Sequence, residues 1–302
     1  MKLVLAVSGG VDSVVMLHSF AASDGFADFS GVTENTSSEV IVAHFDHGLR
    51  QESAADARFV GGLAKKYSLS YEQESGELAS NSEEAARNAR WAFLKLVADG
   101  RGAVATAHHK DDALETLCIN MLRGTNRWGL APLRDQPGVV RPLRSKSKAE
   151  IYEYAALHRL EFVEDSSNAS DRYLRNRLRR YIVPQLERLG SDQKLRAIMN
   201  DSLVRNQEID TLLDSVVSTH ILTKTDVSLT VDRSFLRSLP PDLLPEVCNY
   251  LCKQLAFPNI SSAQYQKLQT FVQTKHTGKV FQLGSGFEVK IKRECVAFSY
   301  TN

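Results

Sequence analysis

No stretch of this sequence approaches the roughly 20 consecutive apolar residues that a membrane-spanning helix needs. The start, "MKLVLAV", sets a lysine before five apolar residues and then runs into "SGG". That is shorter than the roughly 7–15 apolar residues of a secretory signal, and no cleavage-site pattern follows. Cysteine is scarce: Cys118, Cys248, Cys252 and Cys295 are scattered, with neither a CxxC pair nor zinc-ligand spacing. Such a set fits reduced thiols, and a cytoplasmic chain is expected. Repeats and low-complexity tracts are absent. So are the two common phosphate-loop signatures, "GxxxxGK[ST]" and "GxGxxG".

What is present is ordinary globular material. Hydrophobic residues make up 43% and charged residues 24% of the 302 positions, which excludes disordered and fibrous classes. The length suits two domains. A net charge of +1 conceals an asymmetry. Residues 1–100 hold 8 Lys and Arg against 14 Asp and Glu, whereas residues 141–206 hold 14 against 9, densest in "RYLRNRLRR" at 172–180. A basic middle suits either a bound polyanion or a solvated helix face.

Through residue 165, short apolar runs alternate with helix-length segments. "KLVLAV" (2–7), "EVIVAHF" (39–45), "LSYEQE" (69–74) and "GAVATA" (102–107) read as strands. Several are apolar throughout, as strands covered on both faces would be. Helices are predicted over 13–22, 52–67, 82–98 and 111–123, with a turn-rich loop at 23–38. This order predicts right-handed crossovers and a doubly wound, mostly parallel α/β sheet. From 147, "SKAEIYEYAALHRL" reads as a capped helix. A long basic helix follows, interrupted or ended near Pro184, and 191–218 is again helical. The expected division is 1–190, a helical linker at 191–224, and a small C-terminal α/β domain at 225–302. In that domain "GSG" at 284–286 marks a hairpin or sharp turn.

The chemistry begins at "SGGVDS", residues 8–13. A strand handing over to a helix there gathers backbone N–H groups and a helix N-terminus, which is an anion site. Gly9 and Gly10 let the backbone approach phosphate oxygens, and Ser8 and Ser13 add hydroxyls. Asp12 would repel a bare phosphate but makes sense as a ligand of Mg²⁺ bridging to phosphates. Elsewhere, Arg87 and Arg90 stand three apart in "SEEAARNARWAFL", and Asp112 and Glu115 three apart in "TAHHKDDALET". An acid pair on one helix face can hold a cationic amino acid or simply favour the helix start. His108, His109 and Asp111 offer a competing reading as a metal site.

The loop matches the "SGGxDS" motif of the PP-loop ATP pyrophosphatases, a superfamily that splits ATP into AMP and pyrophosphate. Together with "HFDHGLR" (44–50), the two segments just quoted, "RPLRSKSKAEI" (141–151) and "EDSSNASDRYLRNRLRRYIVPQL" (164–186), the chain resembles the tRNA(Ile)-lysidine synthetase family, closely over residues 3–190. That resemblance implies ATP and Mg²⁺ at Ser8, Gly9, Gly10, Val11, Asp12 and Ser13, with Asp46, His47 and His109 completing the nucleotide pocket. It implies catalytic roles for Asp12, Arg87, Arg90 and Asp112, and free L-lysine on Asp112 and Glu115. The partner it implies is tRNA(Ile) with a CAU anticodon, touched by Arg141, Arg172, Arg175, Asn176 and Arg179; a homodimer is compatible. Asn176 and Arg175 have an equally good structural reading, as a clamp on the preceding loop.

Departures from the family pattern fall at Ala113, where glutamine is usual, at Arg144, and in "TNRWGL" (125–130), where a Ser-Gly pair is usual. Trp128 there reads as a base-stacking platform or as packing. A tRNA thiolase and a non-catalytic RNA-binding protein are the rival readings. The first needs reactive cysteines; the second has no use for Asp12, Asp112 and Glu115.

Overall fold

The computed structural model describes residues 2–30, 39–46, 53–76, 83–99, 102–125, 127–133, 136, 138–164, 174–255, 262–273, 276–284 and 286–300. The chain divides into two compact units. One comprises residues 1–122 and 132–196; the other comprises 123–131 and 197–302. This differs from the three-part division expected above: most of 191–224 goes with the second unit, and so does the short excursion at 123–131.

In the first unit, β1 (Lys2–Ala6), β2 (Glu39–Asp46), β3 (Ser70–Ser75), β4 (Ala103–Thr106) and β5 (Val139–Val140) form one sheet in the order β3-β2-β1-β4-β5. Every pairing in it is parallel. The crossovers run through α1 (Val11–Ala22), α2 (Ser53–Lys66), α3 (Glu83–Val97) and α4 (Lys110–Arg123). Strand β1 is apolar throughout because it is covered twice. Leu3 and Leu5 pack with Val15 and Met16 of α1, Val60 of α2, and Ile151 and Tyr154 of α5 (Lys148–Leu157). Val4, one residue out of phase, packs with Phe93 and Leu94 of α3 on the other face. The doubly wound expectation therefore holds. The order reverses between β1 and β4, and such a reversal opens a crevice at the carboxyl ends of the strands.

Helix α5 starts as its sequence implies. Ser147 accepts from the Glu150 N–H, and Glu150 reaches back to the Ser147 N–H, a complete capping box. The basic stretch then forms α6 (Leu174–Arg177), a π-helical turn (Leu178–Ile182) and α7 (Val183–Arg188). The interruption expected near Pro184 is this widened turn, with Pro184 in the first turn of the helix that follows. Helix α8 (Ser191–Val217) comes next.

The second unit is an antiparallel sheet with helices against it. Its strands β6 (Ile221–Lys224), β7 (Ser228–Asp232), β8 (Val280–Gly284), β9 (Phe287–Ile291) and β10 (Cys295–Tyr300) lie in the order β6-β7-β10-β9-β8. Leu229 and Val231, Phe287 and Val289, and Val296 and Phe298 alternate onto one face. Helices α9 (Arg233–Ser238), α10 (Leu244–Gln254) and α11 (Ser262–Gln273) bury that face. Gly286, at φ 70°, follows β8 where the hairpin into β9 was expected. No helix among the described residues is long and apolar enough to cross a membrane.

Candidate functional site

The carboxyl ends of β1, β2 and β4 surround a cavity of about 340 Å³, lined among others by Ser8, Asp12, Asp46, Arg90, Thr106 and His108. The loop after β1 forms its floor. Gly9 lies at φ 93°, a conformation open to glycine and strained for any side chain. Gly10 ends the loop as the N-cap of α1 without a side-chain cap. The first amides of that helix are therefore uncapped, which is what an anion needs. Ser13 plays a different part from that of an outward donor. Its Oγ accepts from the N–H groups of Ser8 and Gly9, each at 3.2 Å, and donates to the Gly10 carbonyl at 2.8 Å. The hydroxyl thus fills the loop's own nest.

The end of β4 brings His108 to the cavity wall, the buried His109 follows it, and α4 carries the acids. The Asp111 N–H meets His109 Nδ1 at 3.2 Å, which leaves Nε2 facing the acids. That Nε2 lies 3.4 Å from Asp112 and 3.9 Å from Asp12, joining the acid pair to the loop. Burial alone would raise the Asp112 carboxyl. His109, its N–H bond to Asp112 and the nearby Arg179 outweigh burial and hold it below the usual range. His108 bonds Thr106 through Nδ1. Burial, reinforced by Arg141, Arg90 and Arg87 against the pull of Asp112, pushes it down to about 4.

Asp112 and Glu115 are together as expected, and they are engaged. Arg179 donates to Glu115 from Nε at 2.6 Å and from Nη2 at 3.0 Å, and its Nη2 is 3.4 Å from Asp112. Glu115 is only 2% exposed, and Arg175 Nε is 3.6 Å from it. Two of the residues expected on tRNA phosphates therefore turn inward onto an acid. Arg175 also bonds Thr116, and Arg141 reaches Gln136. Asn176 lies half-buried in α6. His47 and Arg172 lie outside the described residues.

Arg90 is half-buried at the cavity wall, and Arg87 is exposed one turn earlier. Burial, with Arg87 and Arg175 beside it, pushes the Arg90 guanidinium below its ordinary value. Its Nε is buried and meets no acceptor among the described residues. Guanidiniums crowded in this way, one with an orphan donor, suit an arriving anion.

The metal site considered from His108, His109 and Asp111 does not form: no group of three metal-ligating side chains occurs among the described residues. Asp111 instead accepts from Arg196 at 2.7 Å and from the Lys148 N–H at 2.8 Å. Asp12 is a single carboxylate. Mg²⁺ is commonly held by one or two carboxylates plus substrate phosphates, so this donor set fits the ion in company with a nucleotide.

Two residues of the site were missed in the sequence reading. His44, 4% exposed in an apolar strand, donates from Nδ1 to the Val7 carbonyl at 2.9 Å and lines the cavity. A histidine inside "EVIVAHF" was the available signal. Lys148 holds Asp12 at 2.6 Å across 136 positions of sequence, and nothing local announced it. Trp128 is absent from the cavity. It is 3% exposed in the second unit, with the Arg127 guanidinium 3.7 Å and the Lys253 ammonium 2.9 Å from its ring centre. Packing, the alternative held open above, is what it does.

The comparisons with known proteins agree on the first unit. The curated tRNA(Ile)-lysidine synthase of Bacillus subtilis (strain 168) is 30% identical over 300 residues, 91% of this chain and 60% of the relative. That of Enterococcus faecalis (strain ATCC 700802 / V583) is 34% identical over 195 residues, 61% of this chain and 40% of the relative. The chain thus spans about half the length of these relatives. Among solved structures, the U34-tRNA thiolase NcsA from Methanococcus maripaludis, with its 4Fe-4S cluster, shares the fold. Its TM-score is 0.51 at 18% identity, over 67% of this chain and 71% of that one. Over residues 1–186, more than half its length, the sequence matches the family described as the PP-loop domain, and the chain belongs to that family.

Proposed function

We propose that this chain joins free L-lysine to C2 of the wobble cytidine of tRNA(Ile) with a CAU anticodon, at the expense of ATP. The observation that carries the reading is the junction at His109, which brings the lysine-compatible acids of α4 next to the phosphate loop. In the proposed reaction the cytidine O2 attacks the α-phosphorus of ATP, and the bond to pyrophosphate breaks. The lysine side-chain amine, in its unprotonated form, then forms a bond to C2, AMP leaves with O2, and the nitrogen gives up a proton. No protein nucleophile is needed, so catalysis falls to positioning and to charge neutralisation.

Under this reading the uncapped start of α1 and the orphan donor of Arg90 receive phosphate oxygens. Asp12 holds Mg²⁺ jointly with the phosphates, where the ion supplies further charge neutralisation. Asp46 and His44 border the nucleoside. Asp112 and Glu115 take the lysine cation once Arg179 yields them. Arg141, Asn176 and Arg87 face tRNA phosphates or the activated base, since sequence-neutral RNA affinity rests on such contacts.

The three buried thiols speak against a thiolase. Cys248 is pushed up to about 12 by burial, Cys252 is raised well above its ordinary value by burial and Cys248, and Cys118 is raised by burial and Glu115. Thiols held protonated are poor nucleophiles. The direct test of the reading is AMP release from ATP labelled at the α-phosphate. It should require both lysine and a CAU-anticodon tRNA(Ile) transcript, and Asp12→Ala should abolish it while tRNA binding persists. Release that is indifferent to the tRNA, or retained in that variant, contradicts the assignment.

A further inference from the structure

We propose that Lys148 is a phosphate-binding residue of the nucleotide site, its ammonium moving between Asp12 and the polyphosphate of the bound nucleotide. The inference rests on the reading of residues 8–13 as a phosphate loop.

Three observations place Lys148 for this. Its Nζ is 2.6 Å from Asp12 Oδ1, at the second residue of the helix that follows the loop. Both side chains are about 30% exposed, so the pair is not inside the core, and its Asp12 member lines the cavity. The backbone beneath the side chain is fixed independently of its charge. The Lys148 N–H is tied to Asp111, the Lys110 N–H to the Lys146 carbonyl, and Ser147 with Glu150 caps the helix start. The far side of the loop is tied as well, through the Val163 N–H to the Gly9 carbonyl at 2.9 Å.

The root of the side chain is therefore held, while its head, 2.6 Å from Asp12 and 5.1 Å from the Tyr152 ring centre, ends a stem with several rotatable bonds. A lysine ammonium on a four-carbon stem is a compact charge that can change partners without moving the backbone. In this structure it neutralises Asp12, a carboxylate that would otherwise repel phosphate. When a nucleotide brings several negative charges to the same loop, the ammonium has a stronger counter-charge within its swing. A second cation is nearby but differently placed: Arg196 is committed to Asp111 and to the Lys110 carbonyl. Lys148, by contrast, is paired with a carboxylate that lines the cavity itself.

A purely structural lysine would also alter nucleotide binding, because its loss would leave Asp12 uncompensated. The test therefore removes that route. Calorimetric titrations of ATP and of AMP, all in EDTA, compare the wild-type chain, Lys148→Gln, Asp12→Asn and the double variant. The proposal expects Lys148→Gln to weaken ATP binding at least fivefold in the Asp12→Asn background, to change AMP binding less than twofold, and to be partly rescued by Lys148→Arg. If Lys148→Gln matters only while Asp12 is present, the lysine merely screens that acid and the proposal is overturned. Equal losses for AMP and ATP overturn it too, as does ATP binding that Asp12→Asn removes altogether. If the wild-type chain binds no ATP in EDTA and none when Mg²⁺ is restored, the phosphate-loop reading fails first and the inference with it; binding that appears only with Mg²⁺ overturns the inference alone. Thermal melts of each variant show that the helix start survives the substitution.

Discussion

Four carboxylates of the site are held by cations from the same unit: Asp12 by Lys148, Asp111 by Arg196, and Asp112 with Glu115 by Arg179. The partners are unequal. Glu115 is 2% exposed while Arg179 is 41% exposed, so removing one or the other leaves very different remainders. Arg179→Ala strands a buried carboxylate with Arg175 at 3.6 Å and should cost about 3 kcal/mol, the low end for a broken buried pair. Glu115→Gln frees a guanidinium that can hydrate, and should cost roughly 1 kcal/mol or less. Urea denaturation of the two variants checks the order; equal costs would contradict it. If the acids receive lysine, Glu115→Gln should also raise the lysine KM about tenfold, the loss of one charge-assisted bond, with little change for ATP. His108 adds a pH dependence. Its pKa in the folded chain, about 4, lies below the ordinary 6.5, so the unfolded chain takes the proton first. Stability is complete above pH 6.5 and falls as pH drops toward 4, and His18, also lowered by burial, acts in the same direction. Melting temperatures measured from pH 7 to 4 should decline less steeply in His108→Gln.

Elements owe their placement to a few local devices, and most of those could be read directly. Unbroken apolar runs identified β1, β2 and β4, and serine followed three residues later by glutamate identified the start of α5. Ser147→Ala should cost about 1 kcal/mol, the usual worth of an N-cap, and lower the melting point by a few degrees. Gly9→Ala meets a positive φ of 93° and should cost more than about 1 kcal/mol while weakening nucleotide binding. If Gly9→Ala binds ATP as the wild type does, the loop is not the cradle. What resisted reading was long-range. Arg175 and Arg179 both reach one acid, and the π-helical turn at 178–182 lies in a stretch whose sequence looks like any basic helix. The short β5 and β6 carried too little periodicity to stand out from loop. Lys148 and Arg196 meet their acids across 136 and 85 positions, and no spacing rule spans that distance.

At the level of the whole molecule, the first unit was legible because a doubly wound sheet puts its chemistry at strand ends, where sequence motifs are short and dense. The second unit was less so. The segment at 123–131 leaves the first unit to join it, with Arg127 bound to Glu246 at 2.8 Å and to Asn206 at 2.8 Å. Those partners lie 119 and 79 positions away, which is why Trp128 read equally well as a base-stacking platform. Trp128→Ala should destabilise the second unit by about 3 kcal/mol, seen as a lower-melting transition in calorimetry. The modified nucleoside is the most direct readout of the proposed reaction. Protein, ATP, Mg²⁺, labelled lysine and a CAU-anticodon tRNA(Ile) transcript are incubated, and the RNA is digested to nucleosides for mass spectrometry. The expected product is lysine joined to the wobble cytidine, only with ATP, and not on a methionine tRNA. An unmodified cytidine, or equal labelling of both tRNAs, would contradict it.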